Sequence, residues 1–139
     1  MPIIVAKNAG FCFGVRRAVE TAERVTPAIT LGPIIHNPQL VEQLSQRGVR
    51  IVDSPKEVQS DEVLVLRSHG VAKCITDEAE RLGVTFSDAT CPFVAKIHKI
   101  VAEQSAAGDI ILIAGDESHH EVIGIVGHCT SEHFVFSSV

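Results

Sequence analysis

The 139-residue chain contains no tryptophan and no tyrosine, and aromatics reach only 4%. That absence removes most of the platforms on which single-stranded bases stack. A basic excess is missing too. Lys plus Arg is 12 against 17 Asp plus Glu, for a formal net charge of -5, the wrong sign for a surface that tracks a phosphate backbone. No uninterrupted apolar run is long enough to span a bilayer. Met1–Val5 lacks the basic region and apolar core of an export signal. Together these exclude nucleic acid and membrane as partners and predict a cytoplasmic location. The cysteines at 12, 74, 91 and 129 form no CxxC pair, which argues against a zinc ribbon or treble clef. In a reducing cytosol such cysteines are core thiols, metal ligands or nucleophiles rather than disulfides.

What is present is an ordinary globular composition, 45% hydrophobic and 21% charged. β-branched runs predict strands at Ile3–Ala6, Ala28–Leu31, Val49–Val52, Glu62–Leu66, Val84–Ser87, Ile110–Ala114 and His133–Phe136. Between them, helical periodicity predicts Val15–Val25, Pro38–Arg47, Ile75–Leu82, Phe93–Ala107 and a weaker helix near Glu121–Val126. Gly48, Gly83 and Gly108 stand where helices end, and Asn37-Pro38 and Cys91-Pro92 where they begin. Strand–helix alternation implies an α/β fold of three-layer units with mostly parallel sheets. The pattern Cys-x-x-Val-x-basic occurs at Cys12–Arg17 and again at Cys91–Lys96, each followed by a helix, a strand, a glycine and a histidine. The chain therefore reads as a first α/β unit over 1–90 and an incomplete second unit over 91–139.

The reactive side chains collect at predicted strand ends: Cys12, His36, His69, Cys91, and then His119, His120 and Glu121. Carboxyl ends of parallel strands share one edge of a sheet, where ligands bind. Cys12 and Cys91, each just before a helix, sit at a positive dipole end that favours thiolate, the ligand form for iron–sulfur clusters and soft metals. His36, His69 and either His119 or His120, near helix starts, suit a phosphate or diphosphate, and Arg67 adds local positive charge. Glu121 is placed to shuttle a proton. Cys74 and Cys129 read as inert core thiols, His98 as a packed or edge histidine, and His128 and His133 as surface loop residues.

Five ordered stretches resemble the 4-hydroxy-3-methylbut-2-enyl diphosphate reductase family: Gly10–Ala18, Gly32–Asn37, Arg67–Val71, Asp88–Pro92 and His119–Gly124. The resemblance implies three similar α/β units around a central iron–sulfur cluster, a [4Fe-4S] one, with Cys12 and Cys91 as two of its three cysteine ligands. It implies that His36, His69 and His119 hold the substrate diphosphate and that Glu121 belongs to the proton-delivery network. The implied reaction is a reductive dehydroxylation to isopentenyl and dimethylallyl diphosphates in the non-mevalonate isoprenoid route. Electrons would come from a ferredoxin- or flavodoxin-type donor. Family chains are about twice as long, so the third cysteine would lie in a missing C-terminal segment. His120 stands where the family usually has proline, and the spacing to Glu121 favours His119 as the diphosphate ligand. Two other readings compete: a non-catalytic metal- or anion-binding α/β domain that takes zinc through Cys12, Cys91 and histidines, and a remnant whose second unit orders only with a partner segment.

Overall fold

The computed structural model describes residues 2–7, 9–25 and 27–137. Five α-helices lie among these residues. Helix α1 is Phe13–Arg24, α2 is Pro38–Gln46, α3 is Lys73–Leu82, α4 is Pro92–Ala106 and α5 is His120–Val126. Of these, α2, α4 and α5 begin at a side-chain cap or a proline. Asn37 caps α2 by accepting the N–H of Leu40 at 3.0 Å, and prolines open α2 and α4. Gly48, Gly83 and Gly108 all adopt the positive φ (92°, 70° and 92°) that stops a helix. A short 3-10 turn, Pro55–Glu57, was not anticipated; the side chains of Ser54 and Glu57 close it as a capping box.

Four strands, β1 (Ala28–Leu31), β2 (Arg50–Val52), β3 (Val63–Leu66) and β4 (Phe86–Asp88), form a parallel sheet in the order β2-β1-β3-β4. Two further strands, β5 (Ile111–Ala114) and β6 (His133–Phe136), pair in parallel as a second sheet. Side-chain alternation sorts the first sheet's core into two clusters. Ala28 and Val65 pack with Ala18, Ile34, Ile35 and Leu44 on the face covered by α1 and α2. Ile29, Leu31, Leu64 and Leu66 pack with Val52, Val71 and the flanking Ile75 of α3 on the other. Adjacent strand residues serve opposite faces, as a period of two requires, and the result is the three-layer α/β arrangement.

Two predicted strands differ. Ile3–Ala6 is not a strand: Ile3, Ile4 and Val5 are 92%, 89% and 75% exposed. The run has strand propensity but no sheet edge to pair with, and propensity alone does not hold an isolated strand. Cys12 therefore follows an irregular segment rather than a strand. The strand predicted from Val84 begins at Phe86 because the Val84 N–H donates to the Ala79 carbonyl at 2.9 Å, closing the end of α3.

The strand order reverses between β1 and β3, the place where parallel α/β sheets open a ligand crevice beyond their carboxyl ends. The turns leaving those two strands carry His36 and His69.

Candidate functional site

Three junctions at this edge are laced by hydrogen bonds. After β1, the carbonyl of buried Ile34 accepts both the backbone N–H of Ser68 at 3.3 Å and its hydroxyl at 3.2 Å. After β3, the Ser68 carbonyl accepts the N–H of Cys91 at 2.9 Å. Helix α1 joins the same edge. Arg17 donates to the carbonyls of Thr90 at 2.8 Å and Asp88 at 3.2 Å, and Asp88 Oδ1 accepts the Thr90 N–H at 2.8 Å. Each motif thus ties its own junction to the next.

The lacing gathers four imidazoles. The His36 ring lies 4.4 Å from His69, 6.0 Å from His119 and 5.6 Å from His120, the last stacked at 5°. His69 meets His119 edge-on at 6.4 Å. The three histidines singled out in the sequence are brought together, although 83 positions separate the first from the last (119 minus 36). His120, which the sequence offers as the alternative to His119, joins them from the first helical position of α5. Histidine at the position after His119 was the signal available.

The electrostatics of the cluster favour an anion. Burial first, then the positive neighbours His36, Arg67, His119 and His120, push the His69 pKa down to about 4. Burial, then Arg67, His36 and His119, also lower that of His120. Arg67 is half-buried, its guanidinium loses some proton affinity to burial, and its Nε donates to the Gly70 carbonyl at 3.3 Å. Among the described residues no carboxylate lies within salt-bridge distance of it. Gly32 makes room for it: a Cβ there would stand 3.0 Å from Nη1. A half-buried cation with no carboxylate partner among the described residues, beside two imidazoles whose charged form burial disfavours, suits an incoming anion. His69 Nδ1 is buried with no hydrogen-bond partner in the described structure.

His119 has a second task. Its Nδ1 accepts the N–H of Glu121 at 3.2 Å, so its side chain caps α5. A ring nitrogen that accepts carries no proton, and the neutral ring therefore keeps its hydrogen on Nε2. Glu121, partly exposed in the first turn of α5, is tied to the cluster through that backbone bond.

The thiols occupy the same edge. Cys12 is the N-cap of α1 and Cys91 the N-cap of α4, and neither side chain makes a capping hydrogen bond. The first turn of α1 passes so close to Cys91 that a Cβ on Gly14 would lie 2.6 Å from its Sγ and 3.0 Å from its Cβ. Two uncommitted sulfurs at helix N-termini, one of them contacted by the turn that the other caps, suit two thiolate ligands of a metal cluster. No group of three His, Cys, Asp or Glu side chains is arranged to hold a metal ion among the described residues. A cavity of about 720 Å³ adjoins Cys12, lined by Lys7, Gly10, Phe11 and Arg16.

Several sequence readings need correction. Cys74 is not a core thiol but lies exposed on α3, whose buried position is Ala79. His128 is no surface residue: it is half-buried, stacked on His98 at 4.3 Å, with Nε2 3.2 Å from the Val71 carbonyl. Cys129 is only partly buried, its thiol pKa raised by that burial. His98 is buried with Val94 and Val101, while Ile97 faces outward. His133 is exposed, but within β6 rather than a loop.

Known proteins resemble this chain over nearly all of its length. A family model described as LytB protein matches residues 3–139. A 4-hydroxy-3-methylbut-2-enyl diphosphate reductase of Caldanaerobacter subterraneus is 42% identical over all of this chain and 51% of its own length. That of Citrifermentans bemidjiense is 44% identical over 99% of this chain and 50% of its own. A solved structure of the (E)-4-hydroxy-3-methyl-but-2-enyl diphosphate reductase superposes with a TM-score of 0.83 at 36% identity, over 99% of this chain and 51% of that one. The corresponding enzyme of Plasmodium falciparum gives 0.85 at 30% identity, over 94% and 43%. The chain spans about half the length of the curated relatives it matches.

Proposed function

The chain belongs to the LytB protein family, and from that premise we propose that it supplies one half of the active site of a 4-hydroxy-3-methylbut-2-enyl diphosphate reductase. The observation that carries this reading is the convergence of His36, His69 and His119 beside an arginine with no carboxylate partner among the described residues. In this reading those imidazoles and Arg67 hold the substrate diphosphate, and His120 adds a fourth ring. The Nε2–H of His119 points its one free hydrogen to the anion while Nδ1 stays engaged with α5.

Cys12 and Cys91 would hold an iron–sulfur cluster, a [4Fe-4S] one by resemblance, with a third thiolate from the remaining half of the protein. When bound, the cluster supplies one-electron transfers from a ferredoxin- or flavodoxin-type donor. The overall reaction breaks the carbon–oxygen bond of the substrate hydroxyl. The oxygen takes up a proton and leaves as water, two electrons reduce the allyl unit, and a second proton ends on carbon. The products are isopentenyl and dimethylallyl diphosphates. Glu121 is the chain's own candidate for the proton donor at the leaving hydroxyl. Residues 1–90 and 91–139 are proposed as a complete and a partial α/β unit, with the missing C-terminal segment as the partner that completes the site. Among the described residues no helix is long and apolar enough to cross a membrane. A cytoplasmic setting is part of the proposal.

Two experiments test this. Calorimetric titration with inorganic diphosphate should give binding to the chain, weakened at least about tenfold in His119→Ala; a wild-type chain that ignores diphosphate refutes the anion site. Anaerobic reconstitution with iron and sulfide should produce a visible band that Cys12→Ser and Cys91→Ser abolish. With no tryptophan or tyrosine, little protein absorbance at 280 nm competes with it. A colourless product counts against cluster binding by this chain, and stoichiometric zinc without labile sulfide would instead favour the metal-binding domain.

A further inference from the structure

We infer that His98 is a positioning residue for the imidazole cluster, a ring wedged between the turn that carries His69 and the helix that His119 caps. It lies on α4, two turns beyond the N-cap Cys91, and is only 7% exposed. On one side stands Gly70, directly after His69, in the left-handed conformation at φ +73°; a Cβ there would meet His98 Cε1 at 2.5 Å. On the other stands Gly124 of α5, where a Cβ would lie 3.2 Å from His98 Nε2 and 3.7 Å from the carbonyl oxygen of His69. Both glycines are bare where the ring presses, so its thickness sets the gap between the His69 turn and α5.

The same gap is clipped at its far end. The Gly127 carbonyl accepts the Lys73 N–H at 3.3 Å, and His128 stacks on His98 while meeting the Val71 carbonyl. A carbonyl only accepts, so that contact requires the hydrogen on His128 Nε2. His98 Nε2, by contrast, is buried with no partner in the described structure. A leucine would avoid the cost of that unpaired nitrogen, and tolerated orphans of this kind call for an explanation. Placement supplies one: the ring connects the helix that begins at Cys91 with two of the elements that carry the imidazoles, the His69 turn and α5. Its other titratable neighbours are Asp88 and Lys99, which line a groove of about 250 Å³ with His98 and His128. Burial, then His128, keep the ring neutral down to about pH 4, with Asp88 opposing them, so the wedge does not charge at ordinary pH.

The inference rests on the anion-site reading for its ligand arm only. In the ligand-free chain, ring NMR of His69 should show a midpoint near the depressed value of about 4. In His98→Ala it should move toward the ordinary 6.5, because the loosened turn admits water. His98→Gln, planar and polar, should restore most of the depression. Inorganic diphosphate should bind His98→Ala at least about tenfold more weakly than wild type, and His98→Gln within about threefold of it. Where His98→Ala does not fold, Gly124→Ala keeps every native side chain, adds one methyl against Nε2 in a helix that favours alanine, and should shift His69 in the same direction. A folded variant of either kind whose His69 titrates as in wild type overturns the assignment. If wild type binds no diphosphate, the anion reading fails, while the His69 titration still judges His98.

Discussion

Gly14→Ala isolates the contact between the two cysteine-bearing helix starts. On an exposed helix the change would stabilise by up to about 1 kcal/mol, since alanine is the better helix former. Here the added Cβ stands 2.6 Å from Cys91 Sγ and 3.0 Å from Cys91 Cβ. Rotating the thiol away relieves the first overlap but leaves the second, because Cβ does not move with χ1. Either α1 or α4 must shift by several tenths of an ångström, at the roughly 1–3 kcal/mol typical of overpacking. The difference predicts a net loss between about 0 and 2 kcal/mol, read from denaturant midpoints as a melting temperature lowered by a few degrees. The shift is local, so alkylation followed by mass spectrometry should show Cys91 changed in reactivity and the exposed Cys74, on α3, unchanged. A variant about 1 kcal/mol more stable than wild type, with Cys91 reacting as before, would refute the close approach and with it the shared edge of the two thiols.

Other perturbations give further tests. His69 and His98 both have folded pKa values near 4, below the ordinary 6.5. Between those limits the unfolded chain binds more protons, so stability is full above about 6.5 and falls as pH drops toward about 4. Denaturant midpoints should decline through this window, and less steeply in His98→Gln; a flat profile contradicts the burial of both rings. Gly127→Ala would set a Cβ 2.2 Å from Ala72 Cβ and 2.6 Å from its Cα. Backbone on both sides offers no escape, so a loss of roughly 2–4 kcal/mol is expected by thermal melting, and a near-neutral result would mean that α5 does not seat on the Gly70–Lys73 turn.

Much of the site was legible because each motif residue has a local task that its chemistry announces. Asn37 and Pro38 start a helix, Cys91 and Pro92 start another, and the strand ends they follow share an edge once the sheet is parallel. What stayed hidden depends on partners distant in the chain. The Ile3–Ala6 run has strand composition, but nothing in its own residues reports that no edge awaits it. Cys74 reads as a core thiol only from the usual burial of free cysteine; α3 in fact begins at Lys73 and buries Ala79, which leaves Cys74 exposed. The His98–His128 stack joins residues from α4 and the end of α5, and neither neighbourhood hints at the other. The sequence leaves the choice between His119 and His120 open, and stacking on His36 brings His120 into the cluster beside His119.

Ser68 receives no substrate in any of this, yet it is the knot where three crossings meet: its N–H and hydroxyl reach back to Ile34 and its carbonyl reaches forward to Cys91. Surface connections are ordinarily the places where a protein tolerates an insertion or a deletion. These three are not free in that way, since lengthening any one by a single residue would drag the other two out of register. Length variation among relatives should therefore gather at the opposite rim of the sheet, in residues 58–62 leading into β3, which make no hydrogen bond to these junctions.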